Sequence, residues 1–168
     1  YDVRGPNWER AAWIPARPCA GDGAVGENFL KWLSPYIWRR HLDFATIADI
    51  QAMKRQINVA KNVGAARVEG HNVKLGRGGI REIEFFTQTQ QLIAGGREPS
   101  LRVRPTTAAL KALAAARWIT PEAAGELTRT YWFLRAVENR LQMLNDAQTH
   151  VMPESAPGVA VIARLMGE

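Results

Sequence analysis

Apolar residues recur every three or four positions along most of the chain, and that spacing constrains the fold more than any other feature. Phe44, Ile47, Ile50, Met53, Ile57 and Ala60 share one face of a helix that Asp43 can cap and Gly64 can end. Thr120-Pro121-Glu122 is the clearest start signal: an N-cap, Pro at the first helical position and an acid in the first turn. It predicts a helix to near Asn145, with Leu127, Tyr131, Leu134 and Leu141 on one face. The stretch from Gly79 to about Ala94 predicts another, stopped by Gly95-Gly96. Ala108 to Arg117 predicts a fourth, with Thr106 or Thr107 as N-cap, and Ala160 to Met166 a short last one. Strand signals reduce to one short extended segment before Gly76, where Val73 and Leu75 face inward. The expectation is an all-α fold, a helical bundle with at most that one extended piece.

Composition narrows the class. With 168 residues the chain can bury a core, and 46% hydrophobic against 23% charged residues excludes a disordered chain. No run of about 18 apolar residues offers a membrane span. A single Cys19 excludes a disulfide framework and a Cys-built zinc site, and suits a reducing cytoplasm. His41, His71 and His150 lack metal-ligand spacing. The 22 Lys and Arg outnumber the 16 Asp and Glu by six, which favours an anionic partner: a nucleotide phosphate, an acidic protein surface or nucleic acid.

The chemistry concentrates in Lys74-Leu75-Gly76-Arg77-Gly78-Gly79-Ile80-Arg81-Glu82-Ile83-Glu84-Phe85. A Gly-rich turn opens directly into a helix, whose free N–H groups and positive dipole end point back at it. Lys74, Arg77 and Arg81 add cations, so Gly76, Gly78 and Gly79 with these side chains form a candidate phosphate site. It is neither a Walker A loop nor G-x-G-x-x-G, and a tight structural turn is the competing reading. Beyond it, Arg81, Glu84, Gln88 and Gln91 form a polar stripe, whereas Glu82 falls among Phe85, Phe86, Thr89, Leu92 and Ile93. Glu138 sits likewise among Tyr131, Leu134 and Leu141. Two carboxylates are thus expected on buried faces, either as structural ion pairs with Arg135 or Arg140, or as metal ligands or acid–base groups.

Four of the six Trp (Trp8, Trp13, Trp32 and Trp38) fall within the first 38 residues, interleaved with Arg4, Arg10, Arg17, Arg39 and Arg40. Such a set can stack bases, but reads better as a hydrophobic seam for a partner domain. Trp8, Glu9 and Arg10 are the candidates for that junction. The Pro- and Trp-rich opening gives way to regular helices between Pro35 and Asp43.

The Gly-rich segment closely resembles the hallmark of the glutamine synthetase adenylyltransferases, enzymes that add and remove AMP on a Tyr of glutamine synthetase. The likeness continues through Asn7-Trp8-Glu9-Arg10-Ala11, Ala16-Arg17-Pro18, Trp38-Arg39-Arg40-His41-Leu42-Asp43-Phe44 and Met53-Lys54. It resumes in Gln91-Leu92-Ile93-Ala94-Gly95-Gly96-Arg97-Glu98-Pro99-Ser100-Leu101, in Glu138-Asn139-Arg140-Leu141-Gln142 and in Asp146-Ala147-Gln148-Thr149-His150. The Arg81-Glu82-Ile83-Glu84 form resembles the half that removes AMP. A sister family, the PII uridylyltransferases, shares related domains, and the Gly-Ile-Arg-Glu-Ile-Glu-Phe run points away from it.

The resemblance implies phosphorolysis of adenylyl-tyrosine to ADP with Mg²⁺, with ATP as AMP donor in the other half. Glutamine synthetase, the PII signal protein and the other domains of the same chain are the implied partners. The family's metal-binding carboxylates lie on strands upstream of Tyr1. Residues 1–40 are therefore expected to be the tail of a nucleotidyltransferase domain, and 41–168 a helical domain cut from a longer chain. Isolated, such a fragment is expected to be inactive. Gly76, Gly78, Gly79, Arg81 and Glu82 then either contact substrate or buttress the catalytic domain. A docking module for PII or glutamine synthetase is the alternative, and a nucleic-acid binder comes third.

Overall fold

Six α-helices carry the described part of the chain: α1 (Asn7–Trp13), α2 (Gly23–Ile37), α3 (Ile80–Ala94), α4 (Thr106–Ala115), α5 (Pro121–Asn145) and α6 (Ala156–Met166). A 3-10 turn at Pro99–Leu101 lies between α3 and α4. The computed structural model describes residues 7–40 and 68–167. The helix expected from Asp43 to Gly64, and with it His41 and Met53-Lys54, lies outside the described residues. Among the described residues there is no strand; the expected extended segment reduces to one antiparallel bridge between Asn72 and Val151.

The helix ends follow their capping chemistry. Thr120 Oγ1 accepts the Ala123 N–H at 3.2 Å, as its sequence predicts, and α5 runs to Asn145. The helix α4 starts at Thr106 itself: Pro105, at φ −68°, occupies the N-cap with no side-chain bond, so neither Thr serves as the cap. α6 begins four residues earlier than expected, because Ser155 Oγ takes the Gly158 N–H at 3.3 Å and Pro157 fits the first turn. α2 lies in the opening where no helix was expected. Asp22 accepts the amides of Ala24 (2.8 Å) and Val25 (3.4 Å), and the helix continues through Pro35 to bury Tyr36 and Ile37.

The described residues form two compact units, divided within α3 after Glu84 and within α5 after Ala124. The first takes 7–40 and Phe85–Ala124. Its core joins Ala11, Ile14, Leu33, Tyr36, Ile37 and Leu92, with Trp13, Trp38 and Phe85 against it. A second cluster there joins Ala94, Leu101 and Leu113. Arg10 is fully buried and donates from Nε to Tyr36 O (3.1 Å) and from Nη2 to Ile37 O (3.0 Å). It thereby satisfies the last carbonyls of α2 with a cation at the negative end of that helix. Gln91, expected on a polar stripe, is buried instead; its amide donates to Leu101 O and Val103 O, both at 2.7 Å, which pins the 3-10 turn. Gly95-Gly96 does more than stop α3: a Cβ at Gly96 would collide with Arg39 O, and one at Gly95 would lie 2.7 Å from the Trp38 ring.

The second unit takes 68–84 and 125–167 among the described residues. Val73, Val137, Leu141, Met152 and Ile162 form its core, lined by Leu134, Val159 and Met166. Two extended pieces zip beside it through Gly70 N–H to Pro153 O (3.2 Å), Met152 N–H to His71 O (2.8 Å) and Val73 N–H to His150 O (2.9 Å). Of the two residues that the alternation turns inward, Val73 is buried and Leu75 only half-buried.

Candidate functional site

The Gly-rich turn of the second unit is built from its own backbone. Asn72 Oδ1 accepts the amides of Lys74 (3.1 Å) and Leu75 (2.8 Å), and Asn72 O accepts that of Gly76 (2.7 Å). The Gly79 N–H then bonds Gly76 O at 3.0 Å. The chain folds back so that the first amides of α3 find carbonyls of the turn: Ile80 N–H to Val73 O (2.9 Å), Arg81 N–H to Lys74 O (3.0 Å) and Glu82 N–H to Gly79 O (3.0 Å). Gly78 has φ +73°, the left-handed region that glycine enters without penalty. At Gly79 a Cβ would lie 2.7 Å from Val73 O and 2.9 Å from both Gly76 O and Lys74 O. Only glycine lets three carbonyls come that close.

Glu82 is half-buried rather than sunk in the apolar face, and its Oε2 accepts the Gly78 N–H at 3.0 Å. Gly79, the residue before α3, has no side chain with which to cap it, and an acid in the first turn favours the dipole. Glu84 takes the neighbouring polar contacts, with Arg81 Nη1 at 3.8 Å and the Tyr131 hydroxyl donating at 3.5 Å. Arg77 is exposed.

Glu138, by contrast, is as buried as its helical position predicts, at 3% exposure. Three basic side chains surround it. Arg135 Nη1 donates to Oε2 at 2.7 Å, one turn back on α5. Lys74 Nζ stands 3.6 Å and His150 Nδ1 2.9 Å from Oε1. An ionised carboxylate only accepts, so both oxygens are committed to cations and the charge is compensated where it is buried. That is the structural ion pair of the sequence reading, with Arg135 as partner; Arg140 turns instead to Ala136 O and Leu165 O. The carboxylate links α5 to the start of the Gly-rich turn through Lys74 and to the 150–153 segment through His150.

Lys74, Arg135 and His150 meet across long sequence separations that helical periodicity cannot register. The junction candidates part company: Arg10 is an internal cap of α2, Glu9 is half-buried, and the Trp8 side chain lies outside the described residues. Cys19 is exposed.

A helical chain whose Gly-rich turn feeds α3 falls within one family model, GlnD PII-uridylyltransferase, which matches residues 49–168, and the chain belongs to this family. That model covers the Gly-Ile-Arg-Glu-Ile-Glu-Phe run, whose resemblance to the adenylyltransferases the curated relatives bear out. The curated relatives are more particular. Over 167 residues, 99% of the chain, it is 61% identical to the bifunctional glutamine synthetase adenylyltransferase/adenylyl-removing enzyme of Agrobacterium fabrum (strain C58). The enzymes of the same name from Rhizobium meliloti and Xanthobacter autotrophicus are 58% and 60% identical over the same share. The chain spans 17% of the length of each of these relatives.

Proposed function

We propose that this chain is part of a cytoplasmic enzyme that reversibly adenylylates a Tyr of glutamine synthetase, and that it comes from the half that removes AMP. In that reaction an oxygen of inorganic phosphate attacks the adenylyl phosphorus, the bond from phosphorus to the Tyr oxygen breaks, ADP leaves and the phenolate takes up a proton. Transfer of AMP from ATP to the same Tyr belongs to the other half. The observation that carries this reading is 61% identity across 99% of the chain to an enzyme named for both activities. The Arg81-Glu82-Ile83-Glu84 form supports the AMP-removing half. Glutamine synthetase, the PII signal protein and the other domains of the parent chain are the partners, and the role is regulation of nitrogen assimilation. Residues 1–40 then continue a nucleotidyltransferase domain, and 41–168 form a helical domain.

Mg²⁺ neutralises charge in reactions of this type. Among the described residues the two candidate carboxylates do not fit it: Glu138 is enclosed by basic groups, and Glu82 Oε2 holds the Gly78 amide. Among the described residues no three His, Cys, Asp or Glu side chains come together as a metal site. Within this segment Lys74, Arg77 and Arg81 would meet substrate phosphate with their side chains, on a frame shaped by Gly76, Gly78 and Gly79.

The test is ADP release from adenylylated glutamine synthetase in the presence of phosphate. A longer protein carrying this segment is expected to release ADP, and the 168 residues alone none. Release by the 168 residues overturns the division of labour; no release by the longer protein overturns the AMP-removing assignment.

The docking reading is favoured by a separate observation. Trp132, Phe133 and Met143 on α5 and Val25, Phe29 and Trp32 on α2 are exposed, and Phe29 packs edge-on against Trp13. Retention of PII on the immobilised chain supports it.

A further inference from the structure

We infer that Lys74 and Arg135 form an oxyanion site of the phosphate class, with Glu138 as the positioning residue that holds the two cations in place. Three observations converge. First, the amides of the Gly-rich turn from Lys74 to Leu75, of Gly76 and from Gly78 to Glu82 all have acceptors within the chain, so the turn's capacity for an anion lies in side chains rather than in backbone donors. Second, charge does not balance around Glu138. One carboxylate faces Lys74, Arg135 and His150, which leaves at least one positive charge over when His150 is neutral.

Third, donors are left over. Arg135 uses one of its five N–H groups on Oε2, and the Lys74 ammonium stands 3.6 Å from Oε1 with three donors. Their side chains are 40% and 33% exposed, whereas the carboxylate between them is 4% exposed. The buried oxygens thus draw one edge of each cation inward while the other edge faces water. A tetrahedral oxyanion offers acceptors to both cations at once, which a carboxylate already enclosed cannot. Arg135 suits this task through its planar fork and Lys74 as a point charge.

The choice of phosphate among oxyanions rests on the phosphorolytic reading above; the geometry of the cations does not. Inorganic phosphate and the phosphates of ADP share this chemistry. The test is an NMR titration of the ¹⁵N-labelled chain with inorganic phosphate and, separately, with ADP, at constant ionic strength. Saturable shifts at Lys74, Arg135 and His150 with either ligand are expected, and the ligand that produces them tells free phosphate from nucleotide. Lys74→Met and Arg135→Met should each weaken binding about tenfold, whereas Lys111→Met, on the exposed side of α4, should change nothing. Because Arg135→Met also uncovers Glu138, Arg135→Lys is measured alongside; it keeps the charge that covers Glu138 and should bind more tightly than Arg135→Met but less tightly than the unaltered chain. Shifts that spread over all surface cations without saturating overturn the site. So does full affinity in Lys74→Met; if Arg81→Gln then abolishes binding, the anion belongs at the start of α3 instead. Phosphate binding here and absence of ADP release by the longer protein would leave the site standing and sink the phosphorolytic reading.

Discussion

Glu138 shows how one side chain can fix the arrangement of its surroundings. A carboxylate this buried is tolerated because Arg135 and Lys74 supply compensating charge, with His150 Nδ1 2.9 Å from Oε1. Glu138→Gln keeps the shape but leaves these groups facing an amide, and is expected to cost about 1–3 kcal/mol in urea-induced unfolding. Lys74→Met removes a partner that water already reaches, so its cost in the same assay stays below about 1 kcal/mol. A larger loss from Lys74→Met than from Glu138→Gln would contradict this account. Gly79→Ala places a methyl group against three backbone carbonyls that cannot rotate away, and should destabilise the chain by about 1–3 kcal/mol in thermal melts.

Among the elements, what could be read in advance depended on where the signal sits. α3 and α5 were legible because punctuation and period agree: Thr120-Pro121-Glu122 opens α5, and Gly95-Gly96 closes α3. α2 was not, although Asp22 supplies a sound N-cap. Val25, Phe29 and Trp32 are apolar on its outer face, which blurs the period, and Pro35 reads as a breaker. It is tolerated because the buried Leu33, Tyr36 and Ile37 hold the last turn down. Periodicity placed Glu138 correctly yet put Glu82 too deep and Gln91 too far out, since a hydrophobic face does not reveal which polar group finds a partner beneath it. Ser155→Ala deletes the cap of α6 and should lower stability by about 1 kcal/mol, with the helix fraying from Ala156 in hydrogen exchange. Equal protection of α6 in the variant would deny Ser155 that role.

For the whole molecule, each unit carries its own apolar core while large aromatics remain outside both. Trp32 is 65% and Trp132 60% exposed, more than isolated surface residues of a self-sufficient chain need be. If the docking reading holds, single-Trp variants retaining Trp32 or Trp132 should be readily quenched by acrylamide in the 168-residue chain and shielded when the binding partner is added. Unchanged quenching would remove support for these faces as contacts. The resemblance over long motifs captured what the chain is similar to, but three-dimensional convergence of Lys74, Arg135 and His150 on one carboxylate was not legible, because it depends on the path of two loops.

The backbone closure at the start of α3 has a consequence in time as well as in space. The opening amides of a helix ordinarily exchange with solvent within moments, since nothing holds their protons. Here Ile80 and Arg81 donate to carbonyls seven residues earlier in the chain. Their protons leave only when the entire turn opens, so deuterium uptake at these two positions would report the opening of the turn, and a ligand that grips Lys74 would lengthen that interval without touching either amide.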